Sequence, residues 1–265
     1  MTPHATRELR WPEATAVADL AAMRTAAPLV HCLTNIVAAS ITANVLLAIG
    51  AVPAMVNAPE EAAMFASVAG ALLVNLGTVT EAGAEAMRAA ARSADAAGQP
   101  WVLDPVAVGG LPLRDRVAAE LLQWRPAIIR GNASEILALA GAALGGKGPD
   151  STAGSEQAVE AARGLAQRTG AVVAVSGVVD YVTDGTAVVA VRGGHALMTK
   201  VTGVGCALGA TMAAFAAAQP DRLRAAVSAS AMYAAAGERA ARDASRPGSF
   251  APAFLDHLYA IGLAD

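Results

Sequence analysis

Aromatic side chains are scarce in this chain: Phe, Trp and Tyr make up 4% of 265 residues, although 55% are hydrophobic. A core with so few rings must rest on Ala, Val and Leu, and nothing in the composition resembles disorder. Cysteine is scarcer still, with only Cys32 and Cys206, so no disulfide framework staples the fold. His and Cys never stand at zinc-ligand spacing, which excludes a zinc site. No serine occupies a nucleophile-elbow pattern. The formal net charge is −3 and no basic stripe appears, so nucleic acid is not the expected partner. Residues 1–13 carry no apolar signal core. The longest apolar stretch, 36–56, is interrupted by Ser40, Thr42, Asn44 and Pro53. It divides into a helix, a Gly50 stop and a strand better than it makes a membrane span. These absences predict a soluble, cytoplasmic protein with no membrane partner.

What is present is alternation. Helical patterns cover 13–27, 36–49, 80–97, 114–123, 134–139 and 154–169, with another helix starting at Pro59. Short apolar runs at 29–31, 52–56, 71–74, 101–103, 127–130 and 172–176 stand between them as strands. Such alternation implies a mostly parallel sheet covered by helices on both faces. A late hairpin is predicted from 181–183 and 187–192, joined by Asp184-Gly185. Helices follow at 206–218, 222–241 and 254–261. No linker, repeat or compositional break divides residues 1–265, which points to a single α/β domain.

Ligands of open α/β sheets sit at the carboxyl ends of the strands. Polar residues collect there: His31 to Asn35, Asn57 to Glu61, Asn75 to Thr78, Asp104, Arg130 to Glu135, and Ser176. Asp104 and Glu135 are the acids best placed to hold Mg²⁺ through water, or else a turn residue and a helix-opening acid. Arg130, ending an apolar strand, calls for an anion, and phosphate suits it. His31 and His195 are more simply structural. Gly203 and Gly205 strip side chains from a turn that opens the Ala-rich helix, so backbone N–H groups and the positive end of the helix dipole can meet a phosphate. Cys206, at that helix start, is either a buried structural cysteine or a position that favours a thiolate. The run from Gly141 to Lys147 imitates a P-loop, but Gly148 replaces the hydroxyl residue and a helix precedes it, so it is expected to be a loop.

Several of these pieces together resemble the hydroxyethylthiazole kinase family of the ribokinase-like superfamily. They are His31-Cys32-Leu33-Thr34-Asn35, Ala54-Met55-Val56-Asn57-Ala58-Pro59-Glu60-Glu61, Leu103-Asp104-Pro105-Val106 and Ile129-Arg130-Gly131-Asn132-Ala133-Ser134-Glu135-Ile136. Asp180-Tyr181-Val182-Thr183-Asp184-Gly185 and Leu197 to Ala210 complete the set, in family order from about residue 28 to 215. The resemblance implies a three-layer ribokinase-like sandwich that phosphorylates 4-methyl-5-(2-hydroxyethyl)thiazole with ATP and Mg²⁺ in thiamine salvage. It also implies homotrimers with sites between subunits. On this reading Gly203, Val204, Gly205 and Cys206 form the anion hole, and Cys206 stands where most of the superfamily places an aspartate base. Arg130 and Ser176 would contact ATP, Met55 and Gly203 the thiazole alcohol, and Asp104 and Glu135 the Mg²⁺ shell. Two departures stand out: Val204 replaces a usual threonine, and Cys32 a usual asparagine. Rival expectations are another small-alcohol kinase of the hydroxymethylpyrimidine type and a non-catalytic nucleotide-binding protein.

Overall fold

Strands that are apolar along their whole length must bury both faces. The computed structural model, which describes residues 6–144 and 154–263, shows how this chain does so. In chain order the elements are β1 (Arg7–Leu9), α1 (Ala14–Ala26), β2 (Leu29–Leu33), α2 (Ala39–Ile49), β3 (Val52–Ala54), α3 (Pro59–Val68), β4 (Ala71–Asn75) and α4 (Glu81–Ala97). Next come β5 (Trp101–Asp104), α5 (Pro112–Leu121), β6 (Ile128–Asn132), α6 (Ala133–Leu144), α7 (Val159–Thr169) and β7 (Val172–Ser176). The chain ends with β8 (Val179–Thr183), β9 (Val188–Arg192), α8 (Val204–Ala218), α9 (Arg222–Asp243) and α10 (Pro247–Ala260).

The strands form one sheet in the order β1-β9-β8-β7-β6-β5-β4-β2-β3. Only the β7–β8 and β8–β9 pairings are antiparallel, so β8 alone runs against the others. Side chains alternate between two cores. Leu73, Val102, Ile128 and Ala174 face α1, α2, α8, α9 and α10, while Leu72, Leu103, Ile129 and Val173 face α3 to α7. The result is a three-layer sandwich. Aromatics serve both sides: on the first, Tyr233 meets Phe254 edge-on at 4.9 Å and Phe250 stacks on Phe254 at 5.8 Å, while Trp101 is buried in the second. Small residues let α8 lie close to the sheet; a Cβ at Gly209 would come 3.0 Å from Leu73 Cδ1.

Local chemistry sets most boundaries. Gly50 (φ 94°) and Gly98 (φ 70°) end α2 and α4 in the left-handed conformation, and Pro59 opens α3. Several boundaries differ from the sequence expectation. α2 starts at Ala39 rather than at residue 36, because Asn35 Oδ1 takes the Ala38 N–H at 2.9 Å and holds a turn there. β3 stops at Ala54, two residues short of the predicted 52–56. α6 extends through Gly141 to Leu144, and the rest of the P-loop-like run lies outside the described residues. α10 starts at Pro247, well before residue 254. β1 has no counterpart among the predicted elements; it pairs parallel to β9.

Candidate active site

Alternation along the strands builds the floor of the site. Asn75, Asp104, Arg130 and Ser176 each lie two residues beyond a core residue facing α8, so they share that face at the carboxyl ends of β4, β5, β6 and β7. Asp180 joins the row from β8, whose reversed direction brings its first residues to the same end. Five adjacent strands thus supply a row of polar groups beneath the start of α8.

Arg130 is its centre. Its Nε donates to Ser176 Oγ at 3.0 Å, and Nη1 stands 3.6 Å from Asp104 Oδ2. The guanidinium also borders Gly205, where a Cβ would fall 3.5 Å from Nη2. α8 begins at Val204, and Ala207 N–H is bonded to the Gly203 carbonyl at 2.9 Å. The N–H groups ahead of Ala207 precede the helical ladder, and no side chain caps them, since the N-cap is Gly203 (φ 83°). A larger residue at 203 would overlap Ile41 Cγ2 and lie 3.1 Å from Ala38 Cα. Tyr233 pins the helix start by donating its hydroxyl to the Val204 carbonyl at 2.7 Å. Arg130, Ser176, Asp180, His195, Gly205 and Tyr233 are among the residues lining a cavity of about 670 Å³.

Burial dominates the electrostatics. It pushes the Asp104 carboxyl up to about 7, against the pull of Arg130 and the Asn75 amide and with the push of Glu135. Asp180 rises to about 6 from burial, although the Gly177 N–H and Arg130 favour its charged form. Burial opposes the Arg130 charge, but Asp104, Glu135 and Asp180 outweigh it and hold the cation firmly protonated. For Cys206 the sequence left two readings open, and burial speaks against the thiolate one. Its thiol is raised, first by burial and then by Asp104, so the helix start does not favour a thiolate here. Cys32, fully buried, is pushed up to about 12 and lies inside the core.

Glu135 does two things at once. Its Oε2 accepts from Asn132 N–H at 2.8 Å while Asn132 Oδ1 accepts from Glu135 N–H at 3.0 Å, a reciprocal cap on α6. Its Oε1 accepts from Ala107 N–H at 3.0 Å, tying down the turn after β5. Among the described residues no three His, Cys, Asp or Glu side chains gather as a metal cage. Asp104 Oδ1, however, is buried without a hydrogen-bond partner, and each Glu135 oxygen keeps a lone pair beyond its single N–H. Two hard carboxylates with spare oxygen valence fit a hydrated Mg²⁺.

The structure brings Arg130, Ser176, Val204 and Gly205 to one cavity, with Asp104 beside Arg130. Met55 is not part of that lining; it follows β3 and packs against the α8-side core. Sequence reasoning placed Asn35 and Asn75 at the right end of the sheet but gave them no role in the chemistry, and met Asp180 only within a family motif. For Asn75 the signal was a polar residue at the α8-facing parity of an apolar strand. His31 donates through Nε2 to the Val56 carbonyl at 2.8 Å and faces Phe65, a structural setting.

Comparison with known proteins agrees with this geometry. Residues 20–263 match the model of the hydroxyethylthiazole kinase family. A hydroxyethylthiazole kinase of Tolumonas auensis is 56% identical over 252 residues, covering 94% of each chain. One from Kineococcus radiotolerans is 56% identical over 250 residues, covering 94% of this chain and 91% of its own. The solved structure of the Pyrococcus horikoshii hydroxyethylthiazole kinase protein superposes with a TM-score of 0.88 at 38% identity, over 94% of each chain. A ribokinase-like superfamily protein of Enterococcus faecalis shares the fold at TM-score 0.61 and 13% identity, over 96% of this chain and 95% of its own. Motifs, sheet order and full-length likeness converge, and the chain belongs to the hydroxyethylthiazole kinase family.

Proposed function

We propose that this chain transfers the γ-phosphoryl group of ATP to the primary alcohol of 4-methyl-5-(2-hydroxyethyl)thiazole. The observation that carries the reading is Arg130, held by Ser176 and Asp104 directly beneath the uncapped start of α8. In-line phosphoryl transfer asks little covalent chemistry of a protein and much positioning and charge stabilisation. The Gly205 and Cys206 N–H groups, at a helix start bordered by the Arg130 guanidinium, would stabilise charge on the transferring group together with it. Asp104 and Glu135 would hold Mg²⁺, which when bound neutralises the phosphate oxygens. The cavity between the β7–β8 turn and α9 takes the nucleotide, with Ser176 and Arg130 at its polar end.

Cys206 lies beside the attacking hydroxyl in this reading. Its raised thiol makes it a weak base at neutral pH, so it serves mainly to shape and orient the acceptor end. Gly203 gives the acceptor its approach between α2 and α8. Met55 stands outside the cavity, and exposed Ile36, Val37, Leu47, Val52, Met64 and Val68 lie on and around α2, β3 and α3. A homotrimer through this apolar region, with Met55 completing a neighbour's site, accounts for both features. We place the working enzyme, residues 1–265 as one kinase domain, in the cytoplasm; no helix among the described residues is long and apolar enough to cross a membrane.

The test is ADP production from Mg-ATP with and without the thiazole alcohol, with the product weighed by mass spectrometry. Alcohol-dependent ADP and a thiazole heavier by one phosphate are expected. Turnover with the pyrimidine alcohol instead would move the assignment within the superfamily, and ATP binding without any turnover would make this a regulatory protein.

A further inference from the structure

Asn35 and Asn75 are neutral side chains that the chemistry above does not use, yet both are buried among the groups that it does. Backbone donors fix which way round each amide lies. Asn35 Oδ1 accepts from Ala38 N–H at 2.9 Å, and Asn75 Oδ1 accepts from Gly77 N–H at 3.0 Å. Turning either amide over would set an NH₂ group against an N–H. With the oxygens pinned, the amino groups must point onward. Asn35 Nδ2 donates to Asn75 Oδ1 at 2.8 Å and to Cys206 Sγ at 3.4 Å. Asn75 Nδ2 donates to Asp104 Oδ2 at 2.7 Å. From the Ala38 N–H through Asn35 and Asn75 to the Asp104 carboxylate the donors all point one way, the polarity in which each bond strengthens the next, with the Gly77 N–H joining and the Cys206 bond branching off. Gly77 packs flat on this chain; a Cβ there would lie 2.7 Å from Asn35 Nδ2.

Two consequences follow for the reacting groups. Asp104 Oδ2 is engaged by Asn75 and faces Arg130, so Oδ1 is the oxygen left without a partner. Asn75 thereby selects which oxygen of Asp104 is available. The Cys206 sulfur, accepting from Asn35, is held in one position, and its own S–H must turn away from that amide. We propose that Asn35 and Asn75 are positioning residues for phosphoryl transfer, locking the Cys206 sulfur and the Asp104 carboxylate into one register at the end of the sheet. The proposal rests on the kinase reading and adds a physical link between its acceptor end and its nucleotide end.

The experiment compares steady-state ADP formation and urea unfolding in wild type and three variants: Asn75→Ala, Asn35→Ser and Gly77→Ala. Serine at 35 can still accept from the Ala38 N–H, and alanine at 77 displaces Asn35 without altering it. Misplaced catalytic groups should lower kcat about 100-fold in Asn75→Ala, with KM for ATP within about 3-fold of wild type. Asn35→Ser should cost about 50-fold alone but less than about 10-fold once Cys206 is Ala, because the sulfur it holds is gone. A merely structural pair would shift the urea midpoint and leave kcat of the folded enzyme unchanged, which overturns the proposal. Should Asn75→Ala fail to fold, Asn35→Ser and Gly77→Ala carry the kinetic test. If wild type turns over no alcohol, the kinase reading fails on its own, and the unfolding cycle of Asn75→Ala with Asp104→Asn still decides the register. Midpoint shifts that do not add support the link, and additive shifts overturn it.

Discussion

α4 and α8 are both alanine-rich, and they pack on opposite sides of the same sheet. α4 buries Ala84, Ala86, Met87, Ala90, Ala91 and Ala94 along one stripe and shows Glu, Arg and Asp to solvent. It is closed at both ends by its own chain, with Thr80 Oγ1 accepting from Gly83 N–H at 3.1 Å and Gly98 ending it. α8 carries no charge, is buried on nearly every side, and starts at a glycine that offers no cap. The difference teaches how the same composition serves two purposes. A helix that satisfies its own N-terminus is scaffold, whereas one that leaves N–H groups of its first turn open above a buried arginine can receive an anion.

The comparison breaks most sharply at Gly203. Alanine there must adopt φ near 83° and press on Ile41 and Ala38, so the start of α8 has to move away from Arg130. Displacing the anion donors should lower kcat about 100- to 1000-fold, measured as alcohol-dependent ADP formation. Wild-type turnover in Gly203→Ala would mean that the helix start is not the anion hole.

Cys206 comes next. Leucine at this position places bulk against Asn35 and should cost at least about 100-fold in kcat. Aspartate can still accept from Asn35 and ionises more readily than a raised thiol, so a proton acceptor is present at neutral pH and Cys206→Asp should retain activity. Equal activity in the Leu variant and wild type would remove Cys206 from the site.

The legible and illegible parts of this site divide along the same physical line. The glycine turn and α8 could be read because Gly203, Gly205 and an uncharged alanine run are contiguous in sequence. So could the sheet, from short apolar runs separated by helical ones. The state of the Cys206 thiol could not be read, since it depends on burial and then on Asp104, far away in the chain and brought close only when α8 settles on β5. β1 was invisible for a similar reason: Arg7, Glu8 and Leu9 have no strand pattern and become a strand by pairing with Val189, Ala190 and Val191. The start of α10 was hidden by Pro252, which ordinarily argues against a helix interior but stands here inside the helix, five residues after Pro247 opens it.

On the scaffold side His31 sharpens the contrast. It faces Phe65 of α3 at 5.1 Å, donates to the Val56 carbonyl, and leaves Nδ1 buried without a partner. Burial lowers its pKa in the folded chain despite the Val56 bond. The unfolded chain, titrating near about 6.5, therefore binds more protons below that pH, and stability falls as pH drops from about 6.5. Asp104 and Asp180, raised by burial, act in the opposite direction in both proteins, so His31 is read as a difference: from pH 7 to pH 5 the urea midpoint of His31→Phe should gain on that of wild type. An identical pH dependence in both would remove His31 from the acid response.

The smallest expected effect belongs to Thr80, and it tests the distinction from the other direction. Thr80→Ala removes the hydroxyl that takes the Gly83 N–H and leaves that donor to water at an exposed helix end. Loss of such a cap costs about 1 kcal/mol. For a chain of this length that corresponds to about 2–4 °C in Tm. Because α4 packs against α3 and the far face of the sheet, kcat and KM measured well below the transition should stay at wild-type values. A thermal scan beside a turnover assay checks both halves. Unchanged turnover with a lowered Tm is what a self-capped scaffold helix demands; a fall in kcat without loss of folded protein would mean that strain at α4 reaches Asp104 through β4 and β5, and that the two sides of the sheet are not independent.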